Sequence, residues 1–127
     1  MAQTTWTGIV EHWPWGSGLG SFVDLYPRYD TSEHVSPFFT NHAHNDFLEL
    51  LLEGGIYFAV LFVFYLAVLL LNIPDTPLKR AALLAILALL AHSLVDYPLR
   101  TLGLATIFAV LNGIYFHKPH GGQSATK

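Results

Sequence analysis

The chain has 127 residues, of which 53% are hydrophobic and only 12% charged, about half the charged share usual for soluble domains. Its net charge of −3 excludes the basic footprint of a nucleic-acid binder. The absence of cysteine excludes a disulfide framework, a thiolate metal site and a thiol nucleophile.

Residues 1–45 are polar and aromatic. The first twenty lack a basic start and an apolar core, so they do not form a signal peptide. They are expected to be an irregular segment outside the membrane, following further sequence upstream. Within them Gly16-Ser17-Gly18-Leu19-Gly20-Ser21-Phe22 follows Trp13-Pro14-Trp15. Closely spaced glycines permit positive φ and close backbone approach to a ligand. The alternative is a tight turn anchored by aromatic residues at a membrane surface. A dinucleotide fingerprint would need a buried strand before it, and residues 11–15 (EHWPW) are a poor strand.

Residues 54–74 carry no charge, and 56–71 read IYFAVLFVFYLAVLLL. A spanning helix needs roughly 20 mostly apolar residues, and one starting near Asp46 has that length. Asp46 followed by Glu49 resembles a capping box. Pro74 and Pro77 end the helix, since proline removes a donor and disfavours helix before it. A second span is expected at about 78–95 and a third at about 99–116. Gly103, Ala105, Thr106, Ala109 and Gly113 in the third would let helices approach closely. The fold expected is therefore all-α and integral to a membrane, with about three transmembrane helices over residues 46–116. Lys79, Arg80 and Lys118 fall on one side, which the positive-inside rule makes cytoplasmic. Arg100 opposes this with a single charge. Residues 1–45 then face outward, periplasmic in a Gram-negative cell, and residues 117–127 form a cytoplasmic tail with too little apolar content to fold.

Two polar groups could carry chemistry. Asn41-His42-Ala43-His44-Asn45-Asp46 lies where the first span begins. A neutral imidazole there can take a proton from an attacking hydroxyl, and free N–H groups at a helix start suit phosphate oxygens. The other reading is a polar cap without catalysis. Metal binding is a third, because His-x-His-x-Asp resembles a hydrolase metal motif. Zinc needs three or four convergent ligands, however, and only His12, His34 and carboxylates could complete the set, so no metal is expected. In the second group, His92-Ser93-Leu94-Val95-Asp96-Tyr97-Pro98-Leu99-Arg100, His92 and Asp96 share a helix face. That group is either part of a site, as ionisable residues at membrane depth often are, or a structural Asp96–Arg100 pair fixing a turn.

Taken together, WPWGSGLGSF, YPRY, NHAHNDFLELLLEGGIY and HSLVDYPLR resemble the C-terminal part of the O-antigen ligase and polymerase family. The likeness rests on Gly16, Gly18, Gly20 and Phe22, then His44 and Asn45, Glu53, Gly54 and Gly55, then Ser93 and Asp96, and covers about residues 6–116. It implies a metal-independent, cofactor-free glycosyltransferase of lipopolysaccharide assembly at the outer face of the bacterial inner membrane. Such proteins move a glycan from undecaprenyl-diphosphate to a hydroxyl on lipid A–core, another glycan or a protein. His44 would be the base for the acceptor hydroxyl. Arg28, His42, Asn45, Asp96 and Arg100 would bind substrate, the two arginines facing the diphosphate. Family members are much longer, so the resemblance also implies that most of the expected protein lies elsewhere. A non-enzymatic membrane protein packing against other helices is the competing expectation.

Overall fold

The computed structural model describes residues 2–29 and 42–118. Their regular structure is entirely helical: α1 (Ala2–His12), α2 (Phe22–Tyr29), α3 (Asp46–Leu71), α4 (Pro77–His92), a 3-10 turn (Pro98–Arg100) and α5 (Leu102–Phe116).

The start of α3 is set by Asn45, whose backbone is extended (φ −161°, ψ 105°) and whose side-chain oxygen accepts the Leu48 N–H. An amide that satisfies a free helical donor is a standard N-cap. The cap is therefore Asn45, not Asp46. Glu49 does not close a capping box, because its oxygens are engaged by other groups described below. The helix breaks at Gly55 (φ 52°, ψ −136°), a conformation open to glycine without strain.

At 26 residues, α3 is the one helix among the described residues long and apolar enough to cross a membrane. The second and third apolar runs are helices too, but shorter than expected. The second stops at His92 in a turn over 93–95. The third starts at Leu102 because Pro98, lacking an N–H, opens a 3-10 turn first. With 16 and 15 residues, α4 and α5 are roughly 24 and 22 Å long, against a hydrocarbon core of about 30 Å. Thr76 caps α4 by accepting from Lys79 N, with Pro77 at the first position, where a missing N–H costs nothing. The Lys79 ammonium, 2.9 Å from Asp75, donates to that carboxyl and holds it below its usual range.

The segment expected to be irregular instead holds α1 and α2. Thr5, Gly8 and Ile9 form a buried stripe on α1 at helical spacing. A Cβ on Gly8 would stand 3.1 Å from Leu52 Cδ1, so glycine is what lets α1 lie close to α3. Thr and Gly are weak helix formers, and burial against a neighbour overrides that preference.

Two apolar clusters result. Ile9, Phe22, Leu25, Tyr26, Ala43 and Leu52 join α1 and α2 to the first turns of α3. Leu69, Ala82, Ile86, Leu90 and Tyr115 join its far end to α4 and α5. Tyr65 donates its hydroxyl to Asn112 Oδ1 at 2.9 Å, and Tyr115 donates to the Leu69 carbonyl at 2.7 Å, with the Asn72 carbonyl beside it. Only 11% of the apolar window of α3 is buried, so Val60, Leu61, Val63 and Phe64 face outward. Residues 30–41, with Asn41 and the His34 of the metal reading, and the tail 119–127 lie outside the described residues.

Candidate active site at the head of α3

Asp46, Glu49 and Glu53 recur at i, i+3 and i+7, which places three carboxylates on one helix face. Each is no more than 3% exposed. Buried charges require partners, and the surrounding segments supply them to every carboxylate oxygen of the three except Asp46 Oδ1, which is buried without one. Arg100 Nη1 lies 3.2 Å from Glu49 Oε1, and Nη2 lies 3.0 Å from Glu53 Oε2. The planar guanidinium thus bridges two carboxylates with two prongs, a geometry lysine cannot match. Glu49 Oε2 accepts the Ala43 N–H at 2.8 Å, and Oε1 also meets His42 Nδ1 at 3.1 Å. Glu53 Oε1 accepts the Gly20 N–H at 2.9 Å. The structural Asp96–Arg100 pair expected from the turn does not form. Residues 49 and 53, one helical turn apart, take the arginine instead.

Breaking α3 at Gly55 frees carbonyls that a continuous helix would satisfy, and the glycine loop collects them. Ser17 N donates to Leu52 O at 2.9 Å and Gly18 N to Glu53 O at 3.0 Å, while Ile56 N donates to Pro14 O at 2.8 Å. A Cβ on Gly16 would lie 2.5 Å from Glu53 O, and one on Gly55 would lie 2.3 Å from Pro14 O. The close backbone approach that these glycines permit is therefore to α3.

Asp46 fastens the second polar group. Its N–H is 3.0 Å from Ser93 O and 3.3 Å from Asp96 O. Its Oδ2 accepts from Ser93 Oγ at 2.9 Å and Leu99 N at 3.1 Å. Asn45 donates its amide to Leu94 O at 2.7 Å. Two segments almost fifty positions apart are thereby locked side by side, and the lock sets His44 against Asp96. His44 Nδ1 is 3.3 Å from Asp96 Oδ1, with the side chains 52% and 45% exposed. His92 Nε2 stands 3.9 Å from the other oxygen. The Tyr97 ring lies 5.0 Å from the His44 ring and 4.7 Å from that of His42. His44 itself holds φ +52°, uncommon for a non-glycine residue and concentrated at functional sites. With Nδ1–H donated to Asp96, the imidazole presents Nε2 as an acceptor, the arrangement of a carboxylate-oriented base.

Of the residues expected from sequence, His42, His44, Asn45, Asp96 and Arg100 come together. Arg28 does not join them: it lines a separate recess with Gln3, Thr4, Thr7 and Tyr29. There the Glu11 carboxylate accepts the Tyr29 hydroxyl and raises its pKa. Glu49, Ser93 and Tyr97 were not among the expected site residues, nor were the roles of Asp46 and Glu53. A signal for the acids existed in their single-face spacing at the head of an otherwise uncharged run. Among the described residues no group of three or more acids and histidines is placed to hold a metal ion. The chain matches no known protein family, no characterised protein and no solved structure.

Proposed function

We propose that this chain belongs to a membrane glycosyltransferase of the O-antigen ligase or polymerase type, with His44 as the base that activates the acceptor. The observation that supports this reading is the exposed His44–Asp96 pair, held beside the polar head of an apolar helix. His44 Nε2 takes the proton of an acceptor hydroxyl, on lipid A–core, a glycan or a protein. The oxygen attacks the anomeric carbon of the undecaprenyl-linked glycan as the carbon–oxygen bond to the diphosphate breaks, and the bonding pair leaves with the diphosphate. Because that leaving group is already activated, positioning and proton removal are the main demands. Arg100 neutralises the two glutamates in this reading and Arg28 stands apart in its own recess, so neither arginine is assigned to the diphosphate. His42 and Asn45 hold the backbone on either side of His44. The outward apolar face of α3 supports a place in the bacterial inner membrane. The basic residues Lys79, Arg80 and Lys118 support an external site and a cytoplasmic C-terminus.

The test is transfer of a labelled glycan from undecaprenyl-diphosphate to lipid A–core, in membranes of cells expressing the protein from its own reading frame. His44→Ala is expected to reduce transfer roughly 10²–10⁴-fold while membrane insertion is preserved. Undiminished transfer by that variant removes the assignment. Activity lost on chelation and restored by zinc would favour the metal reading instead. The second reading, a non-enzymatic protein packing against other helices, draws on the same exposed face of α3. It predicts no transfer by the unaltered protein and co-purification with other membrane proteins.

A further inference from the structure

We infer that α1 and the loop after it lie in the membrane–water interface, on their side, with one defined face in lipid. The surface of α1 divides into three stripes. Thr5, Gly8 and Ile9 are buried against the rest of the fold. Gln3, Thr7 and Glu11, at i, i+4 and i+8, are exposed and polar. Trp6 and Val10 on α1, followed by Trp13 just beyond it, are i, i+4 and i+7, and are exposed and apolar. Together with Trp15 and Leu19 of the loop, these residues show between 49% and 84% of their surface. A helix whose free surface is polar on one side and apolar on the other meets two solvents at once, as interfacial helices do.

The occupant of the apolar face follows from its chemistry and its continuity. Trp6, Val10 and Trp13 share a recess with Leu51 and Ala59 of α3, and the Trp15 ring lies 6.1 Å from that of Tyr57. The face therefore runs without interruption into the outward apolar surface of α3. Tryptophan and tyrosine rings, apolar with one polar atom, concentrate at headgroup level. Here they gather around Gly55, where the charged half of α3 gives way to the uncharged half. That position puts the headgroup level on the same side of the uncharged half as Asp46, Glu49, Glu53 and the His44–Asp96 pair. A face of this kind enters the headgroup and acyl boundary by about 5–10 Å. The inference rests on reading α3 as a membrane span, and not on any catalytic role.

All three tryptophans of the chain, Trp6, Trp13 and Trp15, belong to this patch, so tryptophan emission, excited where tyrosine does not absorb, reports on nothing else. The full chain is reconstituted in phosphatidylcholine vesicles carrying lipids brominated either near the headgroup or near the chain ends, with aqueous iodide as a third quencher. Expected is a blue-shifted emission, quenched most by shallow bromines, less by deep bromines and least by iodide. Strong quenching by iodide would place the face in water. Protection from iodide and both bromolipids would place protein on it, such as a second copy of the chain. Either result overturns the inference. The span is checked separately by Phe64→Trp in a chain whose three tryptophans are changed to phenylalanine. Quenching by deep bromines there, with iodide quenching of the native chain, sinks the interfacial helix while leaving the span intact.

Discussion

The two halves of α3 are built on opposite rules. Before Gly55 the helix buries three carboxylates, and after it exposes valine, leucine and phenylalanine. In a water-soluble domain the acids would face out and the aliphatic residues in. The inversion shows that burial here follows partners and not polarity. The glutamates are inside because Arg100, His42 and two backbone N–H groups meet them. Among the described residues the far half finds no comparable cover, since most of its apolar window is open. One half makes its own environment, whereas the other leaves its apolar side chains open.

The contrast can be broken most severely at Arg100. Arg100→Ala leaves Glu49 and Glu53 buried without their counter-charge, and losing one partner of a buried ion pair costs about 3–5 kcal/mol. Denaturant unfolding in detergent micelles should show a loss of that size. The triple change R100M with E49Q and E53Q should recover most of it. If Arg100→Ala were as stable as the parent, the bridge would not be what keeps the acids inside.

The boundary between the halves is tested next. Gly55→Ala places a side chain at φ +52°, with its Cβ 2.3 Å from Pro14 O. Backbone strain alone costs on the order of 1–3 kcal/mol, and the glycine loop must also shift. Faster amide exchange at Ser17, Gly18 and Ile56 is the expected signature. Unchanged exchange there would mean that the loop does not depend on the break.

The apolar half should respond least. Tyr65→Phe removes the bond to Asn112 and leaves the ring packing in place. Polar bonds between helices in lipid average about 0.6 kcal/mol. Thermal unfolding of the reconstituted protein should shift only slightly, and a loss approaching that of Arg100→Ala would erase the distinction between the halves.

Much of α3 was readable because its signals are local. An uncharged run, Pro74 and Pro77 are adjacent in the chain and require no partner to be interpreted. The helices α1 and α2 were hidden, α1 because its apolar residues fall on two separate faces. Its stripes of Trp6 and Val10, Gln3 and Thr7, and Thr5 and Ile9 divide the periodicity that a two-faced helix would show. Arg100 was read against Asp96, its neighbour in sequence, since no local rule reaches back 47 positions to Glu53. His44 and Asp96 were each singled out, but their contact across 52 positions was not.

The amino-acid order alone determined a charge-poor chain whose apolar runs after Asp46 are helical, the first of them long enough to cross a membrane, and a histidine-rich polar segment at that helix's head. Those properties follow from hydropathy and turn chemistry, which act over a few residues. The same order also suggested two further spans and an irregular start, where the structure has shorter helices and α1 and α2. Only the tertiary structure decided which charges neutralise one another, that the glycines serve α3, and that Asp96 faces His44. Such pairings depend on which distant segments meet, and that is settled when Ser93 and Leu99 close on the Asp46 carboxylate.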